Sequence, residues 1–240
     1  MEATPADGRK TGVFSSIGEG LSSVWSDRLL RYYFVLIAAA NLLITGPFSV
    51  GIPVLADTRY AGGAAAFGII LSAFGAGSLG GVVIAGATRR PSARRFPAAM
   101  LGLTAFSGVS LVLLGVMPSL VPSASVAACM GAAQGYVVIQ FVTWLQIRTP
   151  QHMLGRTMSM LMFAVMGLTP VSNTVAGALI QFSATGVLMG AGVLMVLVVA
   201  VGALSPSVWQ LGGETQGDDG RSVAAGIGGV VVEEALDQAA

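Results

Sequence analysis

Residues 64–87 read AAAFGIILSAFGAGSLGGVVIAGA and run directly into Thr88-Arg89-Arg90-Pro91. Wound as an α-helix, an uncharged apolar stretch of this length reaches about 36 Å, enough to cross roughly 30 Å of hydrocarbon. Its glycines (68, 75, 77, 80, 81 and 86) would weaken a helix in water. In lipid they have a use. Gly77 and Gly81 form a small-xxx-small step that lets a neighbouring helix backbone come close.

The same reading extends in both directions. Upstream, an apolar run over about 32–56 is closed by Asp57, Thr58 and Arg59. Downstream, runs over about 97–116, 123–147, 154–180 and 185–204 are separated by Met117-Pro118-Ser119, by Arg148-Thr149-Pro150, and by a weaker break at Gln181, Ser183, Thr185 and Gly186. The expected fold class is therefore an all-α membrane protein with six transmembrane helices. Composition agrees: 54% of the residues are hydrophobic and 10% charged, with a mean hydropathy of +0.80. Soluble domains carry about 25% charged residues, so this chain lacks the charge to cover a water-facing surface. Between Arg59 and Gln210 there is no Asp or Glu at all. A formal net charge of +1 points to neither nucleic acid nor an acidic partner.

The basic residues set an orientation. Arg9, Lys10, Arg28, Arg31, Arg89, Arg90, Arg94, Arg95, Arg148, Arg156 and Arg221 fall on the side that a six-span topology shares with both termini, and Arg59 alone falls on the other. Cytoplasmic loops collect Lys and Arg, so both termini are expected inside a multi-pass protein of the cell (inner) membrane. Residues 1–11 read as a disordered cytoplasmic N-terminus. Residues 12–26 read as an amphipathic cytoplasmic helix, with Val13, Phe14, Ile17, Leu21, Val24 and Trp25 on one face. The six-helix bundle spans 29–206, and the tail 207–240 is mostly disordered. The late onset of the first apolar run argues against a cleaved leader.

Within the spans, polar side chains are few. Tyr136, Gln140 and Thr143 stand at i, i+4 and i+7 on one helix face, and Asn41 and Thr45 at i and i+4 on another. Such groups face other helices or a watery cavity rather than lipid, and these five are the substrate-cavity candidates. The competing reading for each is an interhelical hydrogen bond of about 0.6 kcal/mol. Pro47, Pro53 and Pro170 each remove a helical hydrogen bond and are expected to kink their spans. No span carries Asp, Glu, Lys, Arg or His in its middle. The sequence presents no metal-ligand cluster, no nucleophile–base pair within one segment and no phosphate-cradling loop, so neither catalysis nor a cofactor or metal is expected. The lone Cys129 excludes an internal disulfide and reads as a packing residue.

Several short motifs, in order, resemble the carboxy-terminal six-helix half of a major facilitator superfamily transporter, in particular its multidrug and siderophore exporter branch. Ile17-Gly18-Glu19-Gly20-Leu21, with Asp27 and Leu29-Leu30-Arg31, is similar to that family's approach to its seventh helix. Gly46-Pro47 through Pro53-Val54-Leu55-Ala56 is similar to that helix's outer end, and Phe67-Gly68 through Gly80-Gly81 to its eighth. Pro150 with Gly155-Arg156 is similar to the loop between its tenth and eleventh helices. The resemblance covers about 12–206. It implies half of the fold, two inverted three-helix repeats, with the first and fourth helices along the transport path. It also implies a cytoplasmic gate loop at Gly86, Arg90, Arg94, Arg95, Gly155 and Arg156. Here Arg90 stands where the superfamily has an acidic residue, which leaves an acid-based latch without its acid.

The function implied is secondary active export of small amphipathic or hydrophobic compounds by alternating access. Its partners would be the lipid bilayer, a small-molecule substrate, and a second six-helix bundle that is either another copy or a separate amino-terminal half. Any coupling carboxylate would lie in that second bundle. The alternative is a truncated, non-transporting remnant or an accessory membrane protein.

Overall fold

The computed structural model describes residues 28–88, 95–148 and 151–204. The segments 1–11 and 12–26, the tail 207–240, and Arg90 and Arg94 of the expected gate loop lie outside the described residues. The described chain forms six long helices. Helix α1 has three parts: Arg28–Ala40, a π-helical turn Asn41–Thr45, and Gly46–Arg59. Then follow α2 (Ala64–Ala87), α3 (Phe96–Val116), α4 (Leu120–Arg148), α5 (Gln151–Ile180) and α6 (Ala184–Ala203). All six carry a stretch long and apolar enough to cross a membrane. Each expected span lies on one of these helices. Helices suit this role because they satisfy every backbone group within the segment, where lipid offers no partners.

The connections are short and locally determined. Between α1 and α2, Gly63 takes φ +46°, a conformation that disfavours any side chain, and its N–H donates to Tyr60 O at 3.1 Å. The α5–α6 break is tighter than its weak sequence signal implies. Ser183 caps α6 by accepting the Gly186 N–H at 3.0 Å, which satisfies one of the orphan donors of a helix start.

Three close crossings hold the bundle. Helix α2 meets α4 most extensively: a methyl on Gly77 or Gly81 would strike the carbonyl oxygens of Ala128 and Ala132. Gly131 and Gly135 meet the carbonyls of Phe74 and Ser78 in return. At the α3–α6 crossing, Gly108 and Gly192 each approach the other's carbonyl. At the α1–α5 crossing, Gly46 is pressed against Ser172. Exchanging α1 with α4, α2 with α5 and α3 with α6 maps the first crossing onto the third and the second onto itself. That is the pattern of two inverted three-helix repeats, half of a major facilitator fold. Ile52, Leu111, Leu114, Leu145, Leu188 and Met195 fill the space between the helices.

Burial is uneven. Only 11% of the α2 span and 12% of the α5 span are buried, against 50% of α3. Large apolar side chains such as Leu79, Val83, Phe163 and Met166 stand on the open faces of α2 and α5. Pro53 and Pro170 lie inside helices that continue past them as α-helix. The described backbone leaves regular α-helical form only just before Pro47.

Candidate functional site

Helix α1 departs from α-helix for an identifiable reason. In a regular helix the Gly46 N–H would bond to the Leu42 carbonyl, four residues back. Here the Ser172 hydroxyl of α5 stands between them: it accepts the Gly46 N–H at 2.9 Å and donates to Leu42 O at 2.8 Å. Pro47 has no N–H, so it can serve neither Leu43 O, four residues back, nor Leu42 O, five back. Ser172 satisfies the second of these carbonyls. A side chain inserted into the helical ladder widens the turn, and the turn so widened is Asn41–Thr45.

That turn borders a cavity of about 230 Å³ between α1, α3, α4 and α5. Its polar lining is Asn41 and Thr45 from α1, Thr104 from α3 and Gln134 from α4; the rest is aliphatic, Met or Phe. Thr45 Oγ1 donates to Asn41 Oδ1 at 3.4 Å. Thr104 is turned back on its own helix, donating to Met100 O at 2.8 Å. Among the described residues the Asn41 and Gln134 side-chain amides donate to no protein group, so both remain free to bind. Among the described residues, none that lines the cavity is charged. A cavity of this kind selects against ions, whose desolvation it cannot repay, and accepts neutral groups that exchange hydrogen bonds with amides. A larger groove of about 550 Å³ lies between α1, α5 and α6, but its lining is almost wholly aliphatic or small, with Ser172 and Ser183 as its polar residues. It offers little by which to tell one solute from another.

The sequence candidates divide between two places. Asn41 and Thr45 line the cavity. On α4 the cavity face carries Gln134, Val137, Val138, Phe141 and Val142. At 100° per residue, Tyr136, Gln140 and Thr143 fall on the opposite side of that helix, and none of them lines the cavity. Thr143 donates to its own Ile139 O at 2.6 Å. Gln140 is 3% exposed, and its amide nitrogen has no hydrogen-bond partner. Gln134 belongs to the same helix but stands out of step with the i, i+4, i+7 stripe, so periodicity passed over it. Ser172 gave no signal at all, because a serine beside a helical glycine on another segment is invisible to spacing. Of the expected gate loop, Gly86, Arg95 and Gly155 are exposed, and Arg156 falls within α5.

At the opposite end of the bundle Arg59 acts as a clamp. Its Nη1 donates to Gly115 O at 2.8 Å and to Met117 O at 3.1 Å. Its Nη2 donates to Thr185 Oγ1 at 2.8 Å. One guanidinium thus ties the end of α1 to the last carbonyls of α3 and the first turn of α6, where a cation also complements the α3 dipole. Tyr60 extends the tie to α4, its hydroxyl 2.7 Å from Ser123 Oγ.

Six apolar helices around a small uncharged cavity, arranged as a pair of inverted repeats, define a membrane transporter bundle. The family comparison is more specific: residues 6–210 match the model of the transmembrane secretion effectors, a family of the major facilitator superfamily, and the chain belongs to that family. It is accordingly a membrane transporter of the secretion type and not an enzyme. No curated protein and no solved structure gives a significant match.

Proposed function

We propose that this chain is one six-helix bundle of a secondary exporter for small amphipathic or hydrophobic compounds, working by alternating access against a second six-helix bundle. The observation that carries this reading is the uncharged cavity beside the α1 π-turn, where Asn41, Thr45 and Gln134 supply hydrogen bonds in an otherwise apolar wall. Uncharged polar groups in a largely apolar pocket bind amphipathic solutes without fixing one chemical identity. Several motifs support placing the bundle as a carboxy-terminal half in the multidrug and siderophore exporter branch. Chief among these are Gly46-Pro47 through Pro53-Val54-Leu55-Ala56, and Phe67-Gly68 through Gly80-Gly81. The excess of Arg and Lys on one side supports cytoplasmic termini, with Gly86, Arg90, Arg94, Arg95, Gly155 and Arg156 at the cytoplasmic gate. The open faces of α2 and α5 suit the second bundle, either another copy or an amino-terminal half.

The test is export of neutral amphipathic dyes from proteoliposomes, with the chain alone and with a co-expressed six-helix partner. Asn41→Leu and Gln134→Leu lower export while leaving the amount of folded protein unchanged. Undiminished export by the double variant would remove the cavity from the path. Absence of export in every combination would favour a non-transporting membrane protein.

A further inference from the structure

From the geometry at the α1–α5 crossing we infer that Ser172 is a positioning residue for the cavity: its hydroxyl, inserted between Gly46 N–H and Leu42 C=O, sets the rotation of α1 at which Asn41 and Thr45 line the cavity. The inference rests on the transport reading only for what the cavity is used for; the positioning itself is a matter of helix phase.

The phase change is visible in which residues line which space. In an unbroken α-helix, residues seven apart lie within about 20° of each other around the axis. Pro47 would then stand over Ala40, and Gly51 over Ile44. Ala40 and Ile44 line the cavity. Pro47, however, lines the separate groove between α1, α5 and α6, and Gly51 packs against Leu188 of α6 and Ile180 of α5. The two halves of α1 are therefore out of register by the width of the extra residue that a π-turn accommodates, about 100° of rotation. Each half meets its own neighbours only because the turn absorbs that difference. The far half is anchored by the Arg59 clamp, and the near half by Tyr32, whose ring lies against Gly202 of α6.

Ser172 is 1% exposed and makes both hydrogen bonds with one oxygen. Gly46 is required opposite it, since a Cβ there would meet the serine hydroxyl and backbone. Without the hydroxyl Leu42 O loses its donor, because Pro47 has no N–H to give it. Gly46 N–H is then drawn from its π-turn partner Asn41 O, five residues back, toward Leu42 O; that bond is the one of a regular α-turn. Closing the turn rotates Thr45 and Asn41 away from the cavity face. Asn173 does not replace the contact: Ser49 Oγ donates to its Oδ1 at 2.7 Å, one turn further along the crossing.

The experiment uses the full chain in native membranes, with Cys129→Ala removing the exposed endogenous thiol and Thr45→Cys as reporter. Labelling by a small polar methanethiosulfonate reads access from the cavity, and Ala87→Cys at the exposed end of α2 serves as control. Ser172→Ala is expected to slow labelling at position 45 about fivefold, as the loss of one buried hydrogen bond implies, with no change at position 87. Ser172→Thr, which keeps the hydroxyl, restores the rate. Ser172→Gly, which also lacks the hydroxyl and adds no bulk at the crossing, is expected to slow labelling likewise and serves as the second variant if Ser172→Ala does not fold. An unchanged rate at position 45 in folded Ser172→Ala or Ser172→Gly protein overturns the inference, as does Thr failing to restore it. Labelling needs no substrate, so its outcome is separate from that of the export assay. In the export assay Ser172→Ala is expected to raise KM for the dye about fivefold with kcat little changed; wild-type protein that exports nothing would refute the transport reading and leave the labelling result standing.

Discussion

The α2–α4 and α1–α5 crossings occupy equivalent places in the two repeats, yet they are built by different means. At α2–α4 the closest approaches fall at glycines: Gly77, Gly81, Gly131 and Gly135 each meet a backbone carbonyl of the facing helix, and no side-chain hydrogen bond joins the two helices among the described residues. At α1–α5 one glycine meets one serine, and the serine enters the partner's hydrogen-bond ladder. The first arrangement keeps both helices regular and stiff. The second opens a turn beside the cavity. Close packing is what lipid rewards when it offers no hydrophobic drive between helices; a polar splice uses some of that packing to place side chains instead.

This contrast can be broken at several points, the largest expected effect coming first. Gly131→Leu should cost about 3 kcal/mol or more, because a bulky side chain at a backbone contact forces the helices apart. Gly80→Leu, on the open side of α2 with no atom within 4 Å of an added methyl, should leave the melting temperature in detergent almost unchanged. Equal losses at both positions would mean that the crossing is not the tight one.

Arg59→Ala should lower stability by about 2 kcal/mol, since it leaves the end of α3 and Thr185 without their shared donor. Arg59→Lys should restore little, because an ammonium lacks the planar fork that reaches three acceptors. Thermal melts of the three proteins decide it.

The equivalent serines give the sharpest comparison. Ser172→Ala should cost about 1–2 kcal/mol, the usual range for a buried hydroxyl whose partners are left imperfectly paired. Ser78→Ala, at the corresponding place on α2, should be nearly silent, because there the contact with Gly135 runs through the Ser78 backbone carbonyl. Similar losses would mean that both crossings depend on hydroxyls.

The smallest effect is expected at Gln140. Its buried amide nitrogen is unpaired, so Gln140→Leu should be neutral or stabilising by up to about 1 kcal/mol and should leave export intact. Gln134→Leu, on the cavity face, should reduce export without affecting the melt. The opposite pattern would return the stripe of Tyr136, Gln140 and Thr143 to the substrate path.

Much of this molecule is legible in its sequence. Uncharged runs long enough to cross hydrocarbon have one viable backbone form, so the six helices follow from length and polarity alone. The pairing Gly77–Gly81 is visible too, since its spacing belongs to a single helix. Less visible is the direction in which a stripe faces. Tyr136, Gln140 and Thr143 share a side of α4, but periodicity says which residues stand together, not which neighbour they face. Only packing places Gln134, rather than that stripe, on the cavity.

What the sequence determined by itself was therefore one-dimensional: how many long apolar helices there are and roughly where each lies, which residues share a face, and that no span carries a charge at its centre. Tertiary structure decided the rest. The π-turn at Asn41–Thr45 exists because Ser172, 126 residues further along the chain from Gly46, puts an oxygen where a backbone bond would otherwise close. Pro47 signals only that a hydrogen bond will be missing there. How the helix adjusts depends on which group stands opposite, and that is fixed by the crossing of α1 and α5.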